Sequence, residues 1–288
     1  MDPLDKIFYD ELTWPEINEA VLAGKVVLLP IGSTEQHGHH LPLDTDNFLA
    51  RSVCIAAARQ IPRETLVMPT IPYGYNEHAL DFPGTIHVTY EHFIEYCLDV
   101  CKSVAHAGFS RIIIIDGHGS NEHLCEFIAR RATLETDAVV ASTLWTNLAI
   151  DTFQAIRTSE FGGAAHACEL ETSAYLHLAP ERVQMDKARD HYGGAAGAQG
   201  AGRQSRFMSV DITGGWGPMK VVRWTSAATP TGVSGAPTLA TAEKGRLTLE
   251  AAAANLVEFI REFKAMATGE RVDHRAVKPA LPVYPTPD

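Results

Sequence analysis

The stretch GSTEQHGHHLPLDTD, residues 32–46, gathers three histidines, a glutamate and two aspartates into fifteen positions. It follows KVVLLPIG (residues 25–32), a short Val- and Leu-rich run of the kind that forms a buried parallel strand. Glu35 and His37 are two apart, so extended backbone at the strand tip would aim both side chains to the same face. Asp46 returns at the far end of a loop containing Pro42, just ahead of a helix-like segment that it is placed to cap. Carboxylate, imidazole and second carboxylate make a ligand set for a divalent transition metal. A plain polar loop could contain the same residue types, but clustered His and carboxylates at a strand tip favour the metal.

Two further segments carry candidate chemistry. In RIIIIDGHG (111–119) four isoleucines drive a strand through the core, and His118 emerges at its carboxyl end, where open α/β sheets bind ligands. Gly117 and Gly119 flank it and would let a metal or substrate approach the backbone; a tight turn with a solvent-facing histidine is the alternative. In HACELETS (166–173) a histidine precedes Glu169 and Glu171. A helix starting there would turn the two carboxylates apart, so at most one joins a site, and an acidic first turn complementing the helix dipole would look the same.

The elements that must position these residues alternate. Strand-like runs at 65–71 and 137–143 join those at 25–32 and 111–119. Helix-like segments lie at 47–60, 90–107, 121–135 and 239–266, the last with an alanine-rich face. This order predicts a mostly parallel sheet covered on both faces. Residues 188–235 are Gly-, Ala- and Ser-rich and read as long loops, either plain surface or the shaping of a pocket mouth or subunit contact. The chain of 288 residues shows no repeat and no clear linker, and reads as one domain spanning 1–288 with a proline-rich tail from about 272.

Composition excludes several function classes. Lys and Arg number 24 against 35 Asp and Glu, a net charge of −11 that disfavours nucleic acid or an anionic membrane as partner. No apolar run is long enough to span a bilayer, and the start MDPLDK lacks the apolar stretch of a signal peptide. Five scattered cysteines without a CxxC pair give neither a zinc knuckle nor a disulfide framework. A reducing cytoplasm is the expected setting.

With these residues in view, the chain resembles the creatininase (creatinine amidohydrolase) family. The resemblance runs through ELTWPE (11–16), EQHGHHLPLDTD (35–46), PYGYNEHALDFPGT (72–85), DGHGSN (116–121), HACELETS (166–173), GVSGAP (232–237) and TAEKG (241–245). It implies a three-layer α/β/α fold and a hexamer built from dimers. It also implies a centre of two divalent ions, zinc, manganese or iron, that hydrolyses non-peptide C–N bonds. By motif, the implied ligands are Glu35, His37, Asp46, His118 and Glu169, with Asp46 bridging the ions, and His166 is the implied proton donor. Three carboxylates against two divalent ions leave one positive charge, which a metal-bridging hydroxide would cancel while attacking the amide carbonyl.

Departures from the family pattern bear on substrate. Creatininases carry a GHYEN motif whose Glu ligates metal, whereas Ser120 stands at that place here and Glu169 offers the replacement carboxylate. Gly162 and Ala165 stand where creatininases present a Trp and a Glu to substrate, although Trp145 resembles their other pocket tryptophan. The expected substrate is therefore another small amide, lactam or formamide, with Tyr73, His78, Ser120, Trp145 and Trp216 as candidate substrate contacts. A peptidase-like member trimming a modified peptide is the alternative enzyme, and a non-catalytic metal-binding subunit the alternative class.

Overall fold

The computed structural model describes residues 2–192, 211–213, 219 and 221–277; Trp216 and residues 278–288 of the proline-rich tail lie outside them. The central sheet has four strands, β1 (Val26–Ile31), β2 (Thr65–Val67), β3 (Arg111–Asp116) and β4 (Val139–Leu144), in the order β2-β1-β3-β4. Every pairing is parallel, and β1 runs beside β3 from Val27 opposite Ile112 to Ile31 opposite Asp116. The period of two then sorts side chains by face. Val26, Leu28, Ile113 and Ile115 enter one core cluster, while Val27, Leu29, Ile112 and Ile114 enter the other.

Helices fill both faces, as the alternating pattern predicts. Besides α1 (Trp14–Leu22), the chain folds α2 (Thr45–Gln60), α3 (Tyr90–His106), α4 (Glu122–Glu135), α5 (Ile150–Ile156), α6 (Glu169–Leu178), the single turn α7 (Thr225–Ala228) and α8 (Ala242–Ala265). Leu49 and Val53 of α2, Leu170 of α6 and Leu256 of α8 share the first cluster. Phe93 and Leu98 of α3 and Ile128 of α4 share the second. The result is the three-layer α/β/α architecture. A two-stranded antiparallel ribbon, β5 (Ala164–His166) with β6 (Ser234–Gly235), lies outside the main sheet. None of the described helices is long and apolar enough to cross a membrane.

The strand order fixes where a site can form. From β1 the chain steps to β2 on one side and later to β3 on the other, so the loops leaving β1 and β3 part at their carboxyl ends. Such a reversal opens the crevice in which open α/β sheets bind ligands. Two glycines bring α2 into that crevice. A Cβ on Gly117 would lie 2.3 Å from the backbone oxygen of Asp46, and one on Gly32 would lie 2.8 Å from the backbone nitrogen of Asn47. Gly117 therefore makes room for the first turn of α2 and not, as its place beside His118 suggested, for a metal or substrate. Asp46 is correspondingly inside α2, with Asp44 at the N-cap position expected of Asp46.

Candidate metal centre

Loop 32–44 after β1, the first turn of α2, the turn after β3 and the start of α6 converge on one buried cluster. Three groups have ligand atoms within 4.8 Å of one another: Glu35 with Asp46 and His118, His37 with Asp46 and Glu171, and Glu35 with His37 and His166. Asp46 joins the first two. Its Oδ1 lies 3.1 Å from His37 Nε2 and its Oδ2 3.1 Å from His118 Nδ1. Glu35 Oε1 is 2.8 Å from His118 Nδ1, and Glu171 Oε1 is 3.8 Å from His37 Nε2.

Each imidazole is oriented by its outer nitrogen. His37 Nδ1 donates to the Glu35 carbonyl at 3.3 Å and His118 Nε2 to the Tyr75 carbonyl at 3.3 Å, turning the opposite nitrogens onto the carboxylates. That is how proteins fix the tautomer and aim of metal-ligating histidines. Glu35 Oε1, His37 Nε2 and Asp46 Oδ2 are buried and make no hydrogen bond, a costly state that a cation among them would relieve. Burial opposes charge at Glu35, yet His118, His166 and His37 hold its carboxyl well below the usual range. Burial likewise opposes protonation of His37 and His118, but Asp46 and Glu171 around the first, and Glu35 and Asp46 around the second, keep both rings protonated well above the usual histidine range. Divalent ions displace such protons when they bind. The donor set of carboxylates and imidazoles fits zinc, manganese or iron.

Asn76 was not a sequence-level candidate. Its Nδ2 donates to Glu35 Oε2 at 2.6 Å and to Ser33 Oγ at 3.1 Å, which leaves Glu35 Oε1 facing His118. Nothing in PYGYNEHALDFPGT marks Asn76 beyond the motif itself, because a loop has no period to read. Asn76→Ala is expected to weaken metal binding about 10–100-fold while the fold survives. A metal titration beside a melting curve measures both, and unchanged affinity would remove Asn76 from the support of Glu35.

Glu169 is not brought into the cluster. The side chains at positions i and i+2 of a helix point about 200° apart, and α6 sends Glu171 toward His37. Glu171 also receives the Cys168 N–H at 3.2 Å, a capping contact that steadies it. Glu169 instead accepts from the backbone N–H groups of Thr158 at 3.0 Å and Ser159 at 2.9 Å and pairs with Lys244 of α8. The two glutamates should therefore separate experimentally. Glu171→Ala is expected to lower metal content, whereas Glu169→Ala should keep the metal and lose on the order of 3 kcal/mol of stability by breaking a buried pair. Metal analysis and thermal melts of both variants decide it; normal metal content in Glu171→Ala would exclude Glu171.

His166 reaches the same cluster from a more open side. Its side chain is 24% exposed where that of His37 is 0%, and its Nδ1 lies 3.6 Å from Glu35 Oε1. Nε2 is 2.9 Å from the Gln36 carbonyl, and the Gln36 side-chain nitrogen, itself tied to the Gly232 carbonyl, is also 2.9 Å away. The GVSGAP segment thus meets the EQHG loop. His40 bonds Thr172 Oγ1 at 2.9 Å beside Glu171, and burial pushes it down to about 4.

The substrate-contact candidates scatter. His78 stacks over His118 with ring centroids 6.3 Å apart, and burial pushes it down to about 4, so it faces the site as a neutral imidazole. Ser120 is half-buried beside exposed Gly119, whose Cα has open space around it, and Tyr73 is half-exposed. Trp145 departs from expectation: it is 1% exposed and packs in the core cluster with Phe153 and Leu256, so it offers no face to a substrate.

A family model described as creatinine amidohydrolase matches residues 10–260. The chain belongs to the creatininase family. A 3-dehydro-scyllo-inosose hydrolase from Thermotoga maritima is 30% identical to it over 270 residues, 89% of this chain and 83% of the relative. A mycofactocin precursor peptide peptidase from Mycobacterium ulcerans is 33% identical over 241 residues, 81% of this chain and 80% of the relative. A solved mutant creatininase of Zn-Zn type shares the fold with a TM-score of 0.71 and 27% identity, covering 89% of this chain and 98% of that one. Creatininase-family membership and the buried cluster at the β1/β3 crevice thus coincide in the same segments.

Proposed function

We propose that this creatininase-family chain is a dinuclear metal-dependent amidohydrolase acting on a C–N bond of a small molecule, an amide, lactam or formamide. The observation that carries the reading is the Asp46 carboxylate, whose two oxygens face two different histidines, so that it belongs to both ligand groups. Glu35, Asp46 and His118 would hold one ion, and His37, Asp46 and Glu171 the other. Such ions, when bound, supply an activated water and polarise the carbonyl that it attacks.

The chain's own residues account for the rest. Asn76 and the Glu35 and Tyr75 carbonyls aim the candidate ligands and keep them from rotating. With Nε2 donating to the Gln36 carbonyl, His166 presents Nδ1 to the cluster, and a proton taken up there is placed for the leaving nitrogen. His78 borders the cluster by stacking over His118, and Gly119, the residue after His118, has open space where a Cβ would stand. That open space, where creatininases carry a larger residue, also suits the second reading, a peptidase-like enzyme that admits the end of a modified peptide. The family resemblance further implies a homohexamer, which sedimentation would read directly, and the scattered free cysteines suit a reducing cytoplasm.

Metal analysis of the purified protein is expected to give about two ions per chain. Cleavage of at least one member of a panel of lactams, formamides, ureides and short peptides should stop on chelation and return with zinc, manganese or iron. Cleavage confined to peptides would favour the second reading. One ion or none, with no cleavage after metal is added, would leave a non-catalytic metal-binding subunit as the better description.

A further inference from the structure

The peptide Tyr75–Asn76 supports two candidate ligands at once. The Asn76 side chain donates to Glu35 Oε2 at 2.6 Å, and the Tyr75 carbonyl receives His118 Nε2 at 3.3 Å. With Asp46, these two residues form one of the ligand groups. His37 and Glu171, which form another with Asp46, are steadied elsewhere, by the Glu35 carbonyl and the Cys168 N–H. The aim of one ion's ligands therefore depends on how firmly a single loop peptide is held.

Two side chains take the N–H groups of that peptide. Asn121, completely buried just ahead of α4, accepts the Tyr75 N–H on Oδ1 at 2.9 Å and donates from Nδ2 to the Gly32 carbonyl at 3.1 Å. His87 accepts the Asn76 N–H on Nδ1 at 3.1 Å. An accepting ring nitrogen carries no proton, so His87 is the tautomer with its hydrogen on Nε2. Its place is fixed from both sides. The Ile86 N–H donates to the Thr34 carbonyl at 2.9 Å, and the Val88 N–H donates to the Gly74 carbonyl at 3.0 Å. The His87 ring also meets the Tyr75 ring edge-on, with centroids 5.3 Å apart. His87 is in none of the ligand groups, so its influence on them runs through the peptide it holds.

Given the two-ion reading of the site, on which this rests, we propose that His87 is a positioning residue for the ion that Glu35, Asp46 and His118 would hold, acting through the Tyr75–Asn76 peptide. His87→Phe keeps the bulk of the ring and removes the acceptor. His87→Asn puts a carbonyl oxygen about where Nδ1 stands and keeps one. Zinc titrated calorimetrically into the metal-free full chain should bind in two steps. His87→Phe should weaken one step by about 10–100-fold and leave the other unchanged, and His87→Asn should recover most of that loss. Without metal, the Asn76 amide hydrogen should exchange faster in His87→Phe than in the native chain or in His87→Asn. His87→Gln, whose oxygen reaches toward the Nε2 position instead, provides the same test if His87→Phe does not fold. One ion or none in the native chain would defeat the two-ion reading and this inference with it. Two ions in the native chain, with both steps native-like in the acceptor-less variant, both weakened equally, or no recovery in His87→Asn, would overturn the role of His87 alone.

Discussion

Replacing Asp46 with alanine is expected to take metal content from about two ions per chain to below one and turnover below detection. The reason is position as much as charge. Asp46 is the single side chain common to the Glu35–His118 and the His37–Glu171 groups, with one oxygen 3.1 Å from a ring nitrogen of each. Its removal takes one anionic ligand from both sites at once, whereas loss of Glu35 or Glu171 would impair one. The site cannot compensate by shifting α2, because Gly117 and Gly32 already hold the first turn of that helix at close contact with the ends of β3 and β1. Asp46→Asn separates charge from shape, since it preserves the volume and halves the acceptor capacity. Both variants leave the buried His37 and His118 rings without the carboxylate oxygen each faces at 3.1 Å, so melts of the apo-proteins beside the metal analysis separate loss of fold from loss of metal. A full complement of metal in either would break the claim that Asp46 serves two ions.

How far the chain could be read in advance follows from which residues sit on a periodic pattern. β1 (VVLLPI) and the four isoleucines of β3 are apolar on both faces, as strands of a sheet covered on both sides are, so Asp116, His118 and the loop from 32 to 46 read as lying at carboxyl strand ends. Glu169 and Glu171 were a matter of helical phase. Both lie in the first turn of α6, and which one faces the crevice depends on where the cap falls, at Cys168, a residue with no strong capping signature. Trp145 follows β4 directly, and the sequence gives no sign that the next turn folds it beneath α8 instead of toward the crevice. Asn76 works through a contact forty-one positions away in sequence, made by a loop, and no local pattern encodes that. The metal-binding residues are thus legible as types and positions, and their partners only in three dimensions.

His166→Ala is the second large effect, expected to lower the turnover number by roughly 10²–10⁴ with metal content intact. The geometry admits two roles for this ring, since Nδ1 is close enough to Glu35 and His37 to join a ligand group as well as to carry a proton. Exposure weighs toward the proton: a ring 24% open to solvent is where a substrate nitrogen can arrive, and the 0% exposed His37 is not. Metal analysis divides the roles cleanly. Loss of an ion together with activity would make His166 a ligand, and unchanged turnover would remove it from the chemistry. Intact metal with a slow reaction that recovers when the substrate carries a leaving nitrogen needing no proton would place the proton transfer at His166. Gln36 offers a check on the same point, because His166 Nε2 lies 2.9 Å from both its carbonyl oxygen and its amide nitrogen. Gln36→Met leaves the carbonyl in place and removes only the amide, which donates to the Gly232 carbonyl and cannot also donate to an Nε2 that carries its own hydrogen, so it should cost turnover far less than His166→Ala.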